Sequence, residues 1–276
     1  MHGANGVAFL EREERELLRW TFDSVAELYD RIRPSYPQEL LLDLARLCGV
    51  GPGSRALEIG CGTGKFTAQL AAYGLSITAV ELGAGMAGVA RRRLAGFPDV
   101  EIVVSDFERL DVPLGAYDLV VSATAFHWLD PGVRVARCAD ALRPGGSLAV
   151  VDTHHIDGGD RQFFLDAQEC YLRHDPGAKP GYRLPTPAQI PLELPDLEQS
   201  ERFGGVTLAR YEWEETYSAT DYRDLLLTYS DVQRLGERGM LLARCLEAMI
   251  ERSYGGTVAK RYLSELRIAR TPSGAL

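Results

Sequence analysis

The sequence lacks an excess of positive charge, a long apolar run and a membrane-length hydrophobic segment, and each absence narrows the range of functions. Lys and Arg number 30 against 39 Asp and Glu, so the formal net charge is −9. No basic block is present, which argues against a nucleic-acid partner. No run approaches the length of a membrane span and no apolar leader is evident, so we expect neither membrane insertion nor secretion.

Paired cysteines are also lacking. The five cysteines are scattered along the chain and include no Cys-x-x-Cys pair: Cys48, Cys61, Cys138, Cys170 and Cys245. An odd number without paired spacing is typical of reduced thiols and not of a disulfide framework or a metal site. We therefore expect a cytoplasmic protein with free thiols and no bound metal.

What the sequence does contain is a glycine-rich turn between two regular elements. The apolar run from Arg55 to Ile59 predicts a strand, and Phe66 to Tyr73 predicts a helix. Between them, Gly60, Gly62 and Gly64 alternate with other residues. This arrangement brings backbone close to a nucleotide-like ligand, because glycine has no Cβ to hold the ligand off.

Two residues of this turn help to decide which ligand it suits. The dinucleotide-binding pattern requires glycine at its sixth place, and here that place is Lys65. Glu58 precedes the first glycine, where a carboxylate would repel a pyrophosphate but attract an ammonium group. The turn therefore favours a nucleoside with a positively charged tail.

The stretch Glu58-Ile59-Gly60-Cys61-Gly62-Thr63-Gly64 resembles the first motif, Glu-x-Gly-x-Gly-x-Gly, of the class I S-adenosylmethionine-dependent methyltransferases. Further matches follow in unbroken order over residues 55–153. The resemblance implies an α/β fold with a Rossmann-like seven-stranded sheet, mostly parallel with the last strand antiparallel, and an α-rich lid. It also implies S-adenosyl-L-methionine as cofactor. Two alternatives stay open: an NAD(P)-dependent oxidoreductase and a non-catalytic cofactor-binding protein.

A cofactor site can be assigned to residues near the strand ends. The strand Ser76 to Val80 ends at Glu81, where an acid can accept both ribose hydroxyls. The resemblance places Asp106 at the adenine amino group and Phe107 against the ring. It gives Arg33 the methionyl carboxylate, although this arginine could equally solvate a turn. The predicted cofactor-binding residues are Tyr29, Arg33, Glu58, Gly60, Cys61, Gly62, Gly64, Glu81, Leu82, Met86, Asp106, Phe107, Ala123 and Thr124.

An acceptor site is indicated by aromatic residues. The strand from Tyr117 to Ser122 ends in small residues and then aromatics, at the edge where open α/β sheets bind ligands. These rings favour a bulky hydrophobic small molecule from natural-product (secondary metabolite) biosynthesis, methylated on O, N or an electron-rich carbon. C-methylation of a prenyl, terpenoid or aromatic acceptor is the most specific hypothesis. The predicted substrate-binding residues are Phe126, Trp128, Phe163, Phe164, Tyr171 and Tyr182.

Methyl transfer needs little covalent machinery, because holding donor and acceptor in line supplies much of the rate. A base is needed only where the acceptor must lose a proton, and imidazole accepts protons near neutral pH. The candidate catalytic residues are His127, His154 and His155. Packing of His127 in an aromatic lip is an equally good interpretation.

The chain divides into four predicted parts. They are an N-terminal helical cap (1–48), a cofactor-binding Rossmann-like core (49–154), a substrate lid insertion (155–206) and the C-terminal part of the core with inserted helices (207–276). Residues 7–20 predict an amphipathic helix that packs on its own domain or on a second subunit, so a homo-oligomer is one option. Residues 207–218 and 258–270 predict the sixth and seventh strands, the latter by analogy with the family.

Overall fold

Short apolar runs separated by glycine turns build one sheet in the computed structural model, which describes residues 21–273. Its strands are β1 (Arg55–Ile59), β2 (Ser76–Glu81), β3 (Val100–Val104), β4 (Tyr117–Ala123), β5 (Leu142–His155), β6 (Thr207–Ser218) and β7 (Thr257–Arg270). Their order is β3-β2-β1-β4-β5-β7-β6. The first five strands are parallel, and β7 runs antiparallel between β5 and β6. The predicted Rossmann-like methyltransferase sheet is thereby confirmed.

Helices cover both faces of the sheet, which explains why the central strands are nearly uninterrupted apolar runs. They are α1 (Ala26–Ile32), α2 (Gln38–Cys48), α3 (Lys65–Ala71), α4 (Ala84–Arg93), α5 (Arg134–Ala141), α6 (Arg161–Asp166), α7 (Gln168–His174), α8 (Pro195–Glu198), α9 (Ala219–Leu227), α10 (Ser230–Arg234) and α11 (Glu237–Ser253). Apolar side chains of α2, α3 and α4 pack on one face, and α5 and α8 pack on the other. None of the helices in this described part is long and apolar enough to cross a membrane.

The lid has a hydrophobic core of its own, which is built from two parts of the chain. Helices α6 and α7 contribute Phe163 and Tyr171, and the helices between β6 and β7 contribute Tyr222 and Leu246. The first part of the predicted lid insertion forms α6 and α7, which meet at Ala167. Residues 187–203 of the predicted lid insertion instead pack towards the sheet, because Leu197 and Phe203 belong to the core beside α5.

A disulfide between Cys170 and Cys245 joins α7 to α11. The expectation of free thiols is wrong for these two residues and correct for Cys48, Cys61 and Cys138, which are buried thiols. Sequence spacing could not reveal the pair, since the partners are 75 residues apart and meet only because both helices pack in the lid.

The N-terminal segment reaches the carboxyl edge of the sheet. Helix α1 ends at Ile32, and Pro34 and Pro37 keep the chain extended until α2 begins at Gln38. The Asp23 carboxylate accepts a hydrogen bond from the backbone N–H of Met86 in α4, at 3.0 Å. This contact holds the start of the described chain over the glycine turn. The predicted helix at residues 7–20 lies outside the described residues.

Candidate functional site

The glycine turn after β1 requires glycine for two different reasons. Gly60 has φ +71°, and a Cβ there would lie 2.5 Å from the Cβ of Ala125. Gly64 has φ +78°, and a Cβ would lie 2.8 Å from Leu94 Cδ1 on α4. At Gly62, with φ +57°, a Cβ would meet only the tip of Met86 at 3.8 Å. Close packing therefore disfavours a side chain at Gly60 and at Gly64. At Gly62 the space is open, and the positive φ is the reason for glycine.

Glu81, at the end of β2, holds two backbone loops together. Its Oε2 accepts the N–H of Gly62 at 2.8 Å, and its Oε1 accepts the N–H of Gly83 at 2.9 Å. Burial raises the pKa of the Glu81 carboxyl above its ordinary value, although these two N–H groups pull the pKa down. The carboxylate therefore fixes the shape of the glycine turn while facing the same cavity.

Glu58 is the most deeply buried acid beside the turn, with 1% of its surface exposed. Its Oε2 has no hydrogen-bond partner among the described residues. Burial raises the pKa of this carboxyl to about 8, with a smaller contribution from the nearby Glu81. A buried carboxyl with an unsatisfied oxygen is costly unless a ligand supplies a donor or a positive charge.

A cavity, here called the glycine-loop cavity, opens above the turn and encloses about 1050 Å³ including its mouth. All predicted cofactor-binding residues except Gly64 and Asp106 line it: Tyr29, Arg33, Glu58, Gly60, Cys61, Gly62, Glu81, Leu82, Met86, Phe107, Ala123 and Thr124. The carboxyl ends of β1, β2 and β4 thus converge on one space, as expected for an open parallel sheet.

Two of the predicted residues do not line the cavity. Asp106 Oδ1 accepts the backbone N–H of Glu108 at 3.0 Å in the turn after β3. Its neighbours Ser105 and Phe107 line the cavity. Gly64 is the N-cap of α3, and a Cβ there would lie 3.4 Å from Ala90 of α4.

Other residues of this cavity were not singled out from the sequence. Phe22 meets Tyr29 edge-on at 6.1 Å and Trp128 at 5.6 Å between ring centroids. Together with Asp23 and Tyr36, these rings form a wall from the N-terminal segment. The sequence signal for these residues was their position just before the first strand, in the predicted N-terminal cap.

Thr124, directly after β4, has an unusual backbone. It has φ +53°, and no other non-glycine residue of the described part has a positive φ. Such a conformation is strained for a β-branched residue. Its Oγ1 lies 2.9 Å from the Tyr36 hydroxyl, and its N–H donates to Val151 O at 2.7 Å. The strain is therefore held by contacts on both sides, at a residue that lines two cavities.

The second cavity, here called the aromatic cavity, encloses about 1360 Å³ including its mouth. Its wall shares seven residues with the glycine-loop cavity: Phe22, Tyr29, Arg33, Pro34, Tyr36, Thr124 and Trp128. The two cavities therefore adjoin across this shared wall. Of the predicted substrate-binding residues, Trp128, Tyr171 and Tyr182 line the aromatic cavity.

The other three predicted substrate-binding residues are core residues, which corrects the sequence-based expectation. Phe126 is 1% exposed and lies under the Arg134 guanidinium, 4.5 Å from its ring centroid. Phe163 and Phe164 pack inside the lid, where Phe163 meets the ring of Tyr222 edge-on. An aromatic residue in a sequence does not reveal whether its ring fills a core or lines a cavity.

Much of the aromatic cavity comes from the C-terminal region, which the sequence did not assign to the site. The lining residues from β6, β7 and the helices between them are Trp213, Tyr222, Leu226, Tyr229, Ser230, Asp231, Val232, Lys260 and Tyr262. Trp213 stacks on Tyr262 at 4.5 Å between centroids. The aromatic character of residues 211–217 was a usable signal, but it was interpreted only as a strand pattern.

The three candidate histidines have different surroundings. His127 lines the aromatic cavity, and its Nδ1 lies 3.8 Å from Asp152 Oδ1. Burial alone would raise the pKa of the Asp152 carboxyl, but the neighbouring histidines and Arg267 hold it below its ordinary value. His155 also lines the cavity. Burial and the nearby Lys260 hold its pKa well below the ordinary range, so the ring is neutral.

His154 points to the opposite face of β5, because successive strand residues alternate. Its Nε2 donates to Glu265 Oε2 at 2.9 Å within a buried polar cluster that includes Arg210 and Arg267. It lines neither cavity. The structure therefore corrects its assignment as a candidate base.

Comparison with known proteins agrees with this geometry. The methyltransferase domain family model matches residues 57–150. An uncharacterized methyltransferase of Mycobacterium tuberculosis is 36% identical over 135 residues, which cover 48% of this chain and 51% of that protein. Demethylmenaquinone methyltransferase of Clavibacter sepedonicus is 33% identical over 136 residues, covering 48% and 56%. The chain thus spans about half the length of these curated relatives.

A solved structure named as a type II methyltransferase, from Anaeromyxobacter dehalogenans, has a TM-score of 0.58 at 23% identity. It covers 87% of this chain and 99% of that chain, so the likeness in fold extends beyond the matched domain. Residues 57–150 therefore match a methyltransferase domain, which agrees with the resemblance to the class I S-adenosylmethionine-dependent methyltransferases.

The residues of the glycine-loop cavity fit S-adenosylmethionine, the cofactor that the resemblance implies. The unsatisfied oxygen of Glu58 can pair with the cofactor ammonium, and the Glu81 carboxylate can accept ribose hydroxyls. The buried ring of Phe107 offers an apolar surface to a purine. A dinucleotide would instead bring its phosphates against these two acids, which disfavours an NAD(P)-dependent enzyme.

Proposed function

We propose that this protein transfers the methyl group of S-adenosylmethionine to a bulky, largely hydrophobic small molecule of natural-product biosynthesis. The acceptor atom is oxygen, nitrogen or an electron-rich carbon. The observation that carries the proposal is the wall shared by the glycine-loop cavity and the aromatic cavity. A donor in the first cavity and an acceptor in the second would meet at this wall.

Positioning is the main contribution of the chain to such a reaction. The bound cofactor supplies an electrophilic methyl group on a positively charged sulfur. Tyr36 and Thr124 are hydrogen-bonded to each other at the shared wall, and Phe22 meets Trp128 edge-on there. Rigid aromatic walls restrict the approach of the acceptor, and alignment of the reacting atoms can supply several kcal/mol of the barrier reduction, on the order of 7–11 at most.

The chemistry of the aromatic cavity supports the hydrophobic acceptor. Rings of Tyr171, Trp213, Tyr222 and Tyr262 line this space, and ligand sites are typically lined by such side chains. A relative named for demethylmenaquinone is consistent with a small-molecule acceptor. These rings would also stabilise a developing positive charge through their π-faces, as C-methylation of an alkene would require.

Where the acceptor must lose a proton, His127 is the base that the geometry favours. It is the candidate histidine that both lines the aromatic cavity and has a carboxylate, Asp152, beside its ring. The carboxylate would orient the imidazole and stabilise its protonated form. His127→Gln should then reduce transfer to a hydroxyl acceptor while leaving cofactor binding intact.

The test is incubation of the full chain with S-adenosylmethionine labelled on its methyl group and a fractionated metabolite extract. Mass spectrometry should find the label in one or a few hydrophobic small molecules. Gly60→Ala is the control variant and should give no labelled product, because its added Cβ would clash with the Cβ of Ala125 beside the glycine turn. Cofactor binding without any labelled product would favour a non-catalytic binding protein, and preferential binding of a nicotinamide cofactor would favour an oxidoreductase.

A further inference from the structure

Lys260 is a buried cation with spare hydrogen-bonding capacity. It lies on β7, is 4% exposed and lines the aromatic cavity. Its Nζ donates to the Tyr229 hydroxyl at 2.6 Å, and the ammonium lies 4.9 and 5.0 Å from the ring centroids of Tyr229 and Tyr262. An ammonium has three N–H donors. Within the described residues, the Tyr229 hydroxyl is its hydrogen-bond acceptor, and no carboxylate lies within ion-pair distance.

A second cation, Arg33, packs on the ring of Tyr229. The Arg33 guanidinium lies 4.1 Å from the Tyr229 ring centroid. Its Nε and Nη2 donate to the side chain and the carbonyl of Thr228 at 2.8 and 2.9 Å, while Nη1 has no hydrogen-bond acceptor among residues 21–273. Arg33 and Lys260 therefore add two positive charges to one end of a cavity lined mostly by apolar and aromatic groups.

The groups facing this end compensate the positive charge only in part. Asp231 is the acid among the lining residues, and its charge acts to raise the pKa of the Lys260 ammonium. Its Oδ1 accepts the backbone N–H of Val232 at 2.9 Å, and it forms no ion pair with Lys260 or Arg33 in the described structure. His155 is held neutral. The remaining titratable neighbours are phenols: Tyr29, Tyr171, Tyr217, Tyr222 and Tyr262.

The pKa values report the same imbalance. Burial lowers the pKa of the Lys260 ammonium, although Tyr229 acts in the opposite direction. Burial would raise the pKa of the Tyr229 phenol, but the charges of Lys260 and Arg33 bring it below the ordinary value. A desolvated positive site of this kind is stabilised by an incoming anion.

We infer that Lys260, assisted by the Tyr229 hydroxyl and Arg33, binds a carboxylate on an otherwise hydrophobic acceptor. This inference rests on the proposed function, in which the aromatic cavity takes the acceptor. Lys260 and Tyr229 line only the aromatic cavity, whereas Arg33 also belongs to the shared wall. The carboxylate would thus hold one end of the acceptor at Lys260 and leave another atom for methylation.

The test compares two probes with the same ring system and similar size, one carrying a carboxylate and the other a neutral carboxamide. We expect 2-naphthoate to bind the protein at least about tenfold more tightly than 2-naphthamide in a calorimetric titration with saturating S-adenosylhomocysteine, since charge-assisted hydrogen bonds are the stronger kind. Lys260→Met should remove this preference, because Met retains the volume without the charge. Lys260→Arg should keep most of it, and Tyr229→Phe should reduce it by a few-fold.

Affinity for S-adenosylhomocysteine should be the same in all four proteins, which establishes that the variants fold and keeps the two proposals separable. If the unmodified protein does not bind S-adenosylhomocysteine, the methyltransferase function is contradicted. The carboxylate preference is tested separately, because it is also measured without S-adenosylhomocysteine. Equal binding of the two probes, no measurable binding of the carboxylate at millimolar concentration, or a preference that survives in Lys260→Met would overturn the carboxylate site.

Discussion

Binding of S-adenosylhomocysteine should release a proton from Glu58. In the free protein this carboxyl is buried beside the glycine turn, and its Oε2 has no partner among residues 21–273. The ammonium of the ligand would supply the missing positive charge and stabilise the carboxylate. Because the protonated form is favoured before binding and the ionised form after binding, the reaction couples ligand binding to proton loss.

The size of the effect follows from the pKa of about 8 in the free protein. At pH 7 about nine-tenths of Glu58 molecules carry the proton, so about 0.9 proton should leave for each ligand bound. As the pH rises towards about 8, the affinity for S-adenosylhomocysteine should increase by up to tenfold for each pH unit, which corresponds to about 1.4 kcal/mol of binding free energy. Above this pH the affinity should level off.

Stability of the ligand-free protein should change with pH in the opposite sense. The folded state binds the Glu58 proton more tightly than the unfolded chain, whose carboxyl has its ordinary pKa near 4.5. The free energy of unfolding therefore falls as the pH rises from 4.5 to about 8, by up to the order of 5 kcal/mol. Glu58→Gln should lack this decrease.

Isothermal titration calorimetry in two buffers of different ionisation enthalpy, phosphate and Tris, measures the proton directly. The apparent binding enthalpy at pH 7 should differ between them by about 0.9 of the difference in buffer ionisation enthalpy. 5′-Methylthioadenosine is the matched control ligand, because it has the nucleoside and the sulfur but no ammonium. The reasoning is refuted if both buffers give one enthalpy, or if Glu58→Gln releases the same proton.

Three further predictions concern the turn and the lid. Glu81→Ala should weaken S-adenosylhomocysteine binding at least tenfold in calorimetry, because the variant loses the acceptor for the ribose hydroxyls and two hydrogen bonds to the loops. A hydrogen bond to a charged group contributes about 1.5–3 kcal/mol. Unchanged affinity would contradict the site. Gly60→Ala should lower the free energy of unfolding by about 1–3 kcal/mol more than Gly62→Ala in urea titrations, because only the former adds a steric clash; equal losses would contradict the packing. Replacing Cys170 and Cys245 together by serine should cost about 2–4 kcal/mol; a thermal midpoint that dithiothreitol leaves unchanged in the unmodified protein would argue against the disulfide.

The sheet and the glycine turn could be predicted because their signals are local. Each central strand is a short apolar run, and the turn has glycine at alternate positions, each with a positive φ. The strand predicted at 258–270 and the observed β7 agree closely, although periodicity alone was ambiguous and the family resemblance decided it. Local patterns of this kind do not depend on distant parts of the chain.

The errors have the opposite origin, since each depends on which distant residues pack together. Phe163 and Phe164 were assigned to the acceptor site, but the helices between β6 and β7 cover them. Cys170 was assigned a free thiol because nothing near it in sequence indicates Cys245. Lys260 was not noticed, because a lysine in a strand pattern is ordinarily exposed.

The sequence match to known methyltransferases covers the glycine turn and only a small part of the aromatic cavity. The matched family region, residues 57–150, contains the glycine turn, Glu58 and Glu81. By contrast Tyr171, Trp213 and Lys260 lie outside it. An acceptor cannot therefore be transferred from a relative by name and has to be argued from the chemistry of these walls. The rings on several sides, with Lys260 and Arg33 at one end, support the proposed acceptor, a hydrophobic molecule with a single carboxylate, which is a narrower class than the motifs alone could define.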